Sequence, residues 1–246
     1  MQLPPLYPGR LIKRYKRFLA DVRLDSGETL TAHCPNPGAM TGLQDPDSRV
    51  WLSRSDNPKR KLSHTFELIE TSGGLVGINT GHPNAIVAEA ITGGAIPELA
   101  GYASLRREVK YGEKSRIDIL LEDPKRGKCW VEIKNVHLKR DDGPHPGAAE
   151  FPDSVTARGA RHLDEMANQV RAGDRAVMVY LVQRMDCDRF CVAGDIDQAY
   201  RDALSRAMGA GVEALCVDTE ITTETIVVRQ NLPLDLGVRS RRSSPG

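Results

Sequence analysis

The segments Ile117-Asp118-Ile119-Leu120-Leu121 and Cys129-Trp130-Val131-Glu132-Ile133-Lys134 decide how this chain is read. Each is a short apolar run, bounded by Pro124, Gly127 and charged turn residues, and reads as a largely buried strand. Between them they carry three charges, and a charge inside a buried strand is costly unless it is paired or binds a metal. Strand alternation puts Glu132 and Lys134 on one face and Ile133 on the other. If Asp118 pairs onto that face, two carboxylates and an ammonium converge, the makings of a divalent-cation site with a lysine beside it. The plainer alternative is a structural Asp118–Lys134 ion pair, with Glu132 solvated on an edge strand.

Thirteen residues separate Asp118 from Glu132. The pattern D-(x)n-E-x-K after a helix carrying a glutamate resembles the signature of the PD-(D/E)xK nuclease superfamily. That helix is predicted over 84–92, entered by Pro83, with Ile86, Val87, Ala90 and Ile91 as its apolar face and Glu89 inside it. Other blocks widen the likeness. They are Ala32-His33-Cys34-Pro35-Asn36-Pro37-Gly38-Ala39-Met40, Asn79-Thr80 with Pro83-Asn84, Ser115-Arg116-Ile117-Asp118, and Val131-Glu132-Ile133-Lys134-Asn135-Val136. Phe151-Pro152-Asp153-Ser154-Val155-Thr156-Ala157-Arg158-Gly159 and then His162-Leu163 follow. In this order the chain resembles the sugar fermentation stimulation protein A family over nearly its whole length. The resemblance implies an N-terminal OB-fold joined to a PD-(D/E)xK nuclease-like domain in a DNA-binding protein. The expected fold is therefore α+β with two domains. Residues 1–80 form an OB-fold-like nucleic-acid-binding barrel, residues 81–236 a mixed-sheet α/β domain of restriction-endonuclease type, and residues 237–246 a basic disordered tail.

Periodicity agrees with that division. Strands are predicted at 18–24, 29–33, 50–53, 65–71 and 75–78, separated by Gly, Pro, Asn and Asp; this suits an OB-fold or an SH3-like barrel, and the resemblance decides for OB. Beyond Asn79 helices alternate with apolar strands, which means a central sheet with helices on it. Helices are expected over 84–92, 159–172 and 195–208. Strands are expected over 104–111, 116–122, 128–136, 175–183, 212–218 and 223–230, with a long loop at 137–157.

The chain has 246 residues, 40% hydrophobic and 27% charged, ordinary for a globular protein. No apolar stretch approaches membrane-spanning length and the N-terminus lacks the apolar core of a signal peptide, so a cytoplasmic protein with no membrane partner is expected. Five cysteines without CxxC spacing argue against a disulfide framework or a zinc ribbon; Cys129, Cys191 and Cys216 read as small core residues. Net charge is +1, but residues 1–80 hold 11 Lys and Arg against 8 Asp and Glu, whereas residues 81–246 hold 23 against 25. A globally basic DNA binder is excluded, and any strong nucleic-acid contact must be local.

Candidate roles follow. Asp118 and Glu132 are the direct metal ligands, and the resemblance adds the Ile133 carbonyl as a third oxygen. The cofactor is expected to be Mg²⁺ or Mn²⁺. Lys134 orients or deprotonates the attacking water or stabilises the transition-state charge, and Glu89 reaches the same cation through a water or holds a second one. Arg10, Lys13, Arg14, Lys16 and Arg17, clustered around Tyr15 and Phe18, suit a nucleic-acid contact; the alternative is a solvated strand face with the aromatics filling the barrel, the reading preferred for Phe18. Lys59-Arg60-Lys61 is a second basic patch. Thr156, Arg158, Arg161 and His162 begin a helix whose apolar stripe is Leu163, Met166, Ala167 and Val170, and Arg158, Arg161 and His162 are nucleic-acid-binding candidates. The two arginines could instead pair with Asp153, Asp164 or Glu165. His145 reads as a solvated loop residue rather than a metal ligand, and Gln183 could face the site.

Two functional classes remain open: a metal-dependent nuclease acting on DNA, and a non-catalytic DNA-binding regulator of sugar-utilisation genes that retains the nuclease fold. A carbohydrate-active enzyme finds little support, because aromatics are only 5% and Lys134 would have no role. The sequence leaves the oligomeric state open, a homodimer being one option.

Overall fold

The computed structural model describes residues 1–111 and 115–236. The N-terminal part holds β1 (Leu6–Tyr15), β2 (Leu19–Leu24), β3 (Thr29–His33), β4 (Arg49–Arg54), β5 (His64–Thr71) and β6 (Gly74–Gly77). They are ordered β3-β2-β1-β4-β5-β6, and a parallel pairing of His33 with Thr65 joins β3 to β5, closing five strands into an OB barrel. Alternate residues Ala20, Val22 and Leu24 of β2 point inward onto Leu11, Val50, Leu52 and Phe66, which are fully buried.

Strand β1 was not singled out by periodicity, because Pro8 and Gly9 break its pattern. Gly9 is required where it is: a Cβ there would sit 2.7 Å from the Arg23 carbonyl oxygen on the neighbouring strand. The β1–β2 hairpin turns through Lys16 and Arg17, at φ 48° and 62°. Phe18 follows, and it does not fill the barrel as expected; it lies 48% exposed at the hairpin tip.

The second part contains α1 (Pro83–Thr92), a 3-10 turn at Pro97–Leu99, β7 (Ser104–Tyr111), β8 (Ser115–Asp123) and β9 (Gly127–Val136). It continues with β10 (Ala148–Phe151), α2 (Ala157–Arg171), β11 (Arg175–Val182), β12 (Arg189–Val192) and α3 (Gln198–Gly209), and ends in β13 (Glu213–Ile221), β14 (Ile226–Asn231) and β15 (Leu234–Asp235). The main sheet is β14-β13-β11-β9-β8-β7, with β9, β11 and β13 parallel and the outer strands antiparallel. Alternation along β11 sends Met178 and Tyr180 to a core with Leu163 of α2 and Leu204 of α3, and Val177 and Val179 to a core with Ile86 and Val87 of α1. The sheet is thus covered on both faces, as a mixed α/β domain requires.

The segment 137–157 is not wholly loop. Its strand β10 pairs with β12, and β12 with β15, in a small second sheet. Four-residue strands such as Ala148–Phe151 are too short to show a period. The expected tail, 237–246, lies outside the described residues. All five cysteines are free and buried, and among the described residues no helix is long and apolar enough to cross a membrane.

The two parts are tied by specific bonds. Asn36 Nδ2 lies 2.8 Å from His137 Nε2, and the Ala39 amide donates to Asp153 Oδ2 at 3.0 Å. The Gly77 amide donates to the Gln183 carbonyl, and Val76 bridges Arg184.

Candidate functional site

The site forms where β8 and β9 part. Their last ladder pair on this side is Ile119 with Val131, so the next step brings Asp118 opposite Glu132. There the strands separate, and the Ile133 amide donates to Asp118 Oδ2 at 2.7 Å instead of to a backbone carbonyl. The β7–β8 ribbon also rolls over at this point. Ile119 and Leu105 pack in the core with α1, whereas Ile117 and Val109, only a few residues along, pack in the opposite core with α2 and α3. Strict alternation would keep each pair on one side. Glu108 sits in the middle of the roll at φ 55°, and Asn84 Nδ2 bridges it to Asp118, at 2.6 Å to Glu108 Oε1 and 3.0 Å to Asp118 Oδ1.

Glu132 is 3% exposed. Its Oε1 accepts from Lys134 Nζ at 2.6 Å and from His162 Nδ1 at 2.5 Å. Arg158 Nε donates to His162 Nε2 at 3.2 Å, so the His162 proton belongs on Nδ1, facing the carboxylate. Glu132 Oε2 is buried with no hydrogen-bond partner among the described residues. Glu132 therefore is not solvated, and Lys134 pairs with it rather than with Asp118; the plainer ion-pair reading does not hold.

The electrostatics differ between the two carboxyls. Burial raises Asp118, the negative charge of Glu132 raises it further, and together they push it up to about 6. Burial also raises Glu132, but the hydrogen bond from His162 and the charge of Lys134 outweigh it and hold the group below its ordinary value. Glu132 is compensated by Lys134 from the cleft side and held by His162 from behind; Asp118 faces it undercompensated.

A cleft of about 430 Å³ opens over this pair, and Arg107, Glu108, Asn84, Lys134 and Arg158 also line it. Glu89 does not reach it. Five residues beyond Asn84, it lies about 140° around the helix. Its side chain is 63% exposed and pairs with the Met1 ammonium at 2.9 Å. His162 is not a surface contact either: it is buried behind Glu132 and positions it. Arg161 is exposed but does not line the cleft. Gln183 is fully buried and donates to Asn135 Oδ1 at 2.7 Å, so it supports a cleft residue from behind. His145 lies outside the cleft.

The N-terminal basic cluster divides. The guanidinium of Arg14 donates to the carbonyls of Arg17, Asn36 and Gly38, at 3.1, 2.9 and 2.9 Å, so its expected phosphate contact gives way to a structural role. Arg10 donates to the Asp47 carbonyl, and Lys13 lies 3.7 Å from Asp21 and over the Tyr15 ring. Lys16 and Arg17 are exposed at the hairpin tip beside Phe18. In the second patch, Arg60 donates to Thr65 Oγ1.

Sequence reading missed Asn84, Glu108 and Arg107. The signal for Asn84 was available: directly after Pro83, it begins the helix at the end nearest the strands. Glu108 carried none, since its position depends on a backbone roll that no periodicity encodes. Among the described residues no three His, Cys, Asp or Glu side chains gather as a metal cage. The donor set that fits a cation is smaller: Asp118, Glu132 with its unpartnered oxygen, and the Ile133 carbonyl. Two carboxylates suit a hard cation that keeps several waters.

Family models match both parts. "SfsA N-terminal OB domain" covers residues 12–78, and "Sugar fermentation stimulation protein RE domain" covers residues 81–225. The sugar fermentation stimulation protein homolog of Rhodospirillum centenum is 59% identical over 95% of this chain and 99% of its own length. That of Paramagnetospirillum magneticum is 56% identical over 96% and 98%. A solved structure, SfsA of Pyrococcus furiosus in complex with Ca²⁺, superposes with a TM-score of 0.84 at 27% identity, covering 96% of this chain and 98% of that one. An OB barrel followed by a restriction-endonuclease-like sheet is, in general terms, the build of a DNA-binding, nuclease-like protein. With both domains matched in order and curated relatives aligned along almost the full length, this chain belongs to the sugar fermentation stimulation protein A family.

Proposed function

We propose that this protein is a metal-dependent nuclease that hydrolyses phosphodiester bonds of DNA at the Asp118–Glu132 pair. The observation that carries the reading is Glu132: a carboxylate 3% exposed, with one oxygen unpartnered, opposite a second carboxylate and beside a lysine. The fold disfavours the charge on the facing Asp118, and a cation between the two groups would offset that cost. The Pyrococcus furiosus relative was solved in complex with Ca²⁺, which supports a divalent ion as the ligand proposed here.

Asp118, Glu132 and the Ile133 carbonyl would hold Mg²⁺ or Mn²⁺, which would supply Lewis-acid stabilisation and a water of lowered pKa. The chain's own residues do the rest. His162 and the Ile133 amide fix the two carboxylates in place. Lys134, on the face of Glu132 that lines the cleft, orients a water or meets the charge that develops on the phosphoryl oxygens. Arg158 and Arg107 line the same cleft and suit the flanking phosphates.

The test is incubation with single-stranded, duplex and branched DNA, with Mg²⁺, Mn²⁺ or chelator, beside Asp118→Ala and Lys134→Ala. Metal-dependent cutting lost in both variants supports the nuclease. Cutting unchanged in the variants points to a contaminant, and binding without cutting leaves DNA binding as the function.

A further inference from the structure

A second cavity, about 320 Å³, lies at the junction of the two domains. Asn36, Pro37 and Gly38 of the barrel form one side, and the stretch from Phe151 to Thr156 the other. It shares Thr80, Asn135, Phe151 and Thr156 with the carboxylate cleft, so the two lie side by side. Its volume is at the small end of the range for small-molecule pockets, suited to one nucleotide and far too small for a duplex.

Its walls combine apolar surface with polar residues whose donors are buried without partners among the described residues. Asn36 Oδ1 is taken by the Gly38 amide, and Asn36 Nδ2 donates to the Ile78 carbonyl and to His137 Nε2. His137 therefore carries its proton on Nδ1, and that atom, like Asn135 Nδ2, has no partner among the described residues. His137 is 7% exposed, and leaving a buried donor unmet is unfavourable. Both residues line the cavity, with these two donor atoms buried just behind its surface. Val155, 77% exposed, stands at its rim.

The third observation is outside the cavity. The Arg14 guanidinium ties the carbonyl of Arg17 at the hairpin tip to those of Asn36 and Gly38 in the cavity wall, and the Cys34 amide donates to the Phe18 carbonyl. The tip that presents Lys16, Arg17 and the exposed Phe18 ring is thus fixed against the mouth of the cavity. An exposed aromatic flanked by cations offers a stacking face and phosphate contacts. Base faces are available in single strands and are hidden inside a duplex.

We infer that single-stranded nucleic acid runs from the Lys16-Arg17-Phe18 tip, through the junction cavity where one unpaired nucleotide is seated, to the Asp118–Glu132 cleft. Phe18 stacks a base, Val155 packs against the seated nucleotide, and Arg158 and Lys134 receive the backbone beyond it. The path rests on the nuclease reading only for what happens at its end.

The test uses the full-length protein in EDTA, a fluorescein-labelled twenty-nucleotide oligothymidine, and a blunt duplex of equal length. Phe18→Ala and Val155→Glu alter exposed side chains, and an unchanged melting temperature verifies their folding. The single strand should bind at least tenfold more tightly than the duplex, and each variant should weaken it about tenfold without affecting the duplex. Duplex binding as tight as or tighter than single-strand binding, or single-strand affinity unmoved in both variants, overturns the path. The same preparations are then assayed with Mg²⁺ and Mn²⁺. Strand selectivity without any cutting sinks the hydrolytic reading and keeps the path; cutting of tightly bound duplex does the reverse.

Discussion

Replacing Asp118 by asparagine should make the metal-free protein more stable. Asp118 is raised from 3.8 to about 6 by burial and by the facing charge of Glu132. A carboxyl whose folded pKa lies above its unfolded value binds more protons when folded, so its ionisation costs stability as pH rises through that window. The shift corresponds to about 3 kcal/mol of destabilisation once the pH is well above 6. Asparagine carries no charge and can still accept from the Ile133 amide, though its NH₂ then meets that of Asn84, which returns roughly 1 kcal/mol. The net gain is about 2 kcal/mol at pH 7.5, a rise in melting temperature of roughly 4–8 °C for a chain of this size. Circular dichroism melts in EDTA measure it, at pH 7.5 and again at pH 4.5, where Asp118 is protonated in the folded state and the advantage should largely disappear. Adding Mn²⁺ should raise the melting temperature of the original protein and leave the variant unmoved. A variant that melts lower than the original at pH 7.5 in EDTA, or an advantage that persists undiminished at pH 4.5, would refute the claim that the two carboxylates oppose each other.

Glu89→Ala should leave DNA cutting unchanged, because the side chain lies on the exposed side of α1 against Met1; a large loss of rate in a cleavage assay would return Glu89 to the site. Burial lowers His137 to about 4, below its unfolded value of 6.5, so the folded state binds fewer protons and stability should fall as pH drops from about 6.5 toward 4. His137→Gln should flatten that acid limb, which urea titrations at several pH values would read. Lys16→Glu with Arg17→Glu should weaken DNA binding and reduce the salt slope by about two, with the melting temperature unchanged. Arg14→Ala should instead lower the melting temperature by several degrees, since it releases three backbone carbonyls; equal melting temperatures for the two constructions would contradict the division drawn between these cations.

Local pattern carried the centre of the candidate site and lost its periphery. Asp118, Glu132 and Lys134 were legible because strand alternation has period two and the two strands are neighbours in sequence, so face and partner were both fixed. Glu89 failed because the apolar face of α1 meets the sheet as expected but leaves Glu89 outside it, exposed beside Met1; Asn84, five residues earlier, is the one turned toward Asp118. His162 fell off the apolar stripe and so read as a surface residue, yet the α2 face beside that stripe packs against a buried carboxylate. Most strands and helices were found within a few residues of their bounds. β1, β10, β12 and β15 were not, since Pro8-Gly9 masks the first and the other three are four residues long or shorter. Phe18 shows the limit on aromatics: alternation set its parity with Ala20 and Val22, but the hairpin ends one residue before the barrel wall would have covered it.

If the proposed hydrolysis occurs, the bonds across the domain junction bear on the products it would release. Asn36 on His137, Ala39 on Asp153 and Gly77 on Gln183 bond the barrel to the sheet at three points rather than by the connecting chain alone. A polymer gripped at one part and severed at the other would then lose pieces whose length is dictated by that bonded geometry and not by chance. Fragment ends in a sequencing gel would then fall at one preferred spacing from the gripped terminus, and loosening the junction by Asn36→Ala would smear that band into a ladder.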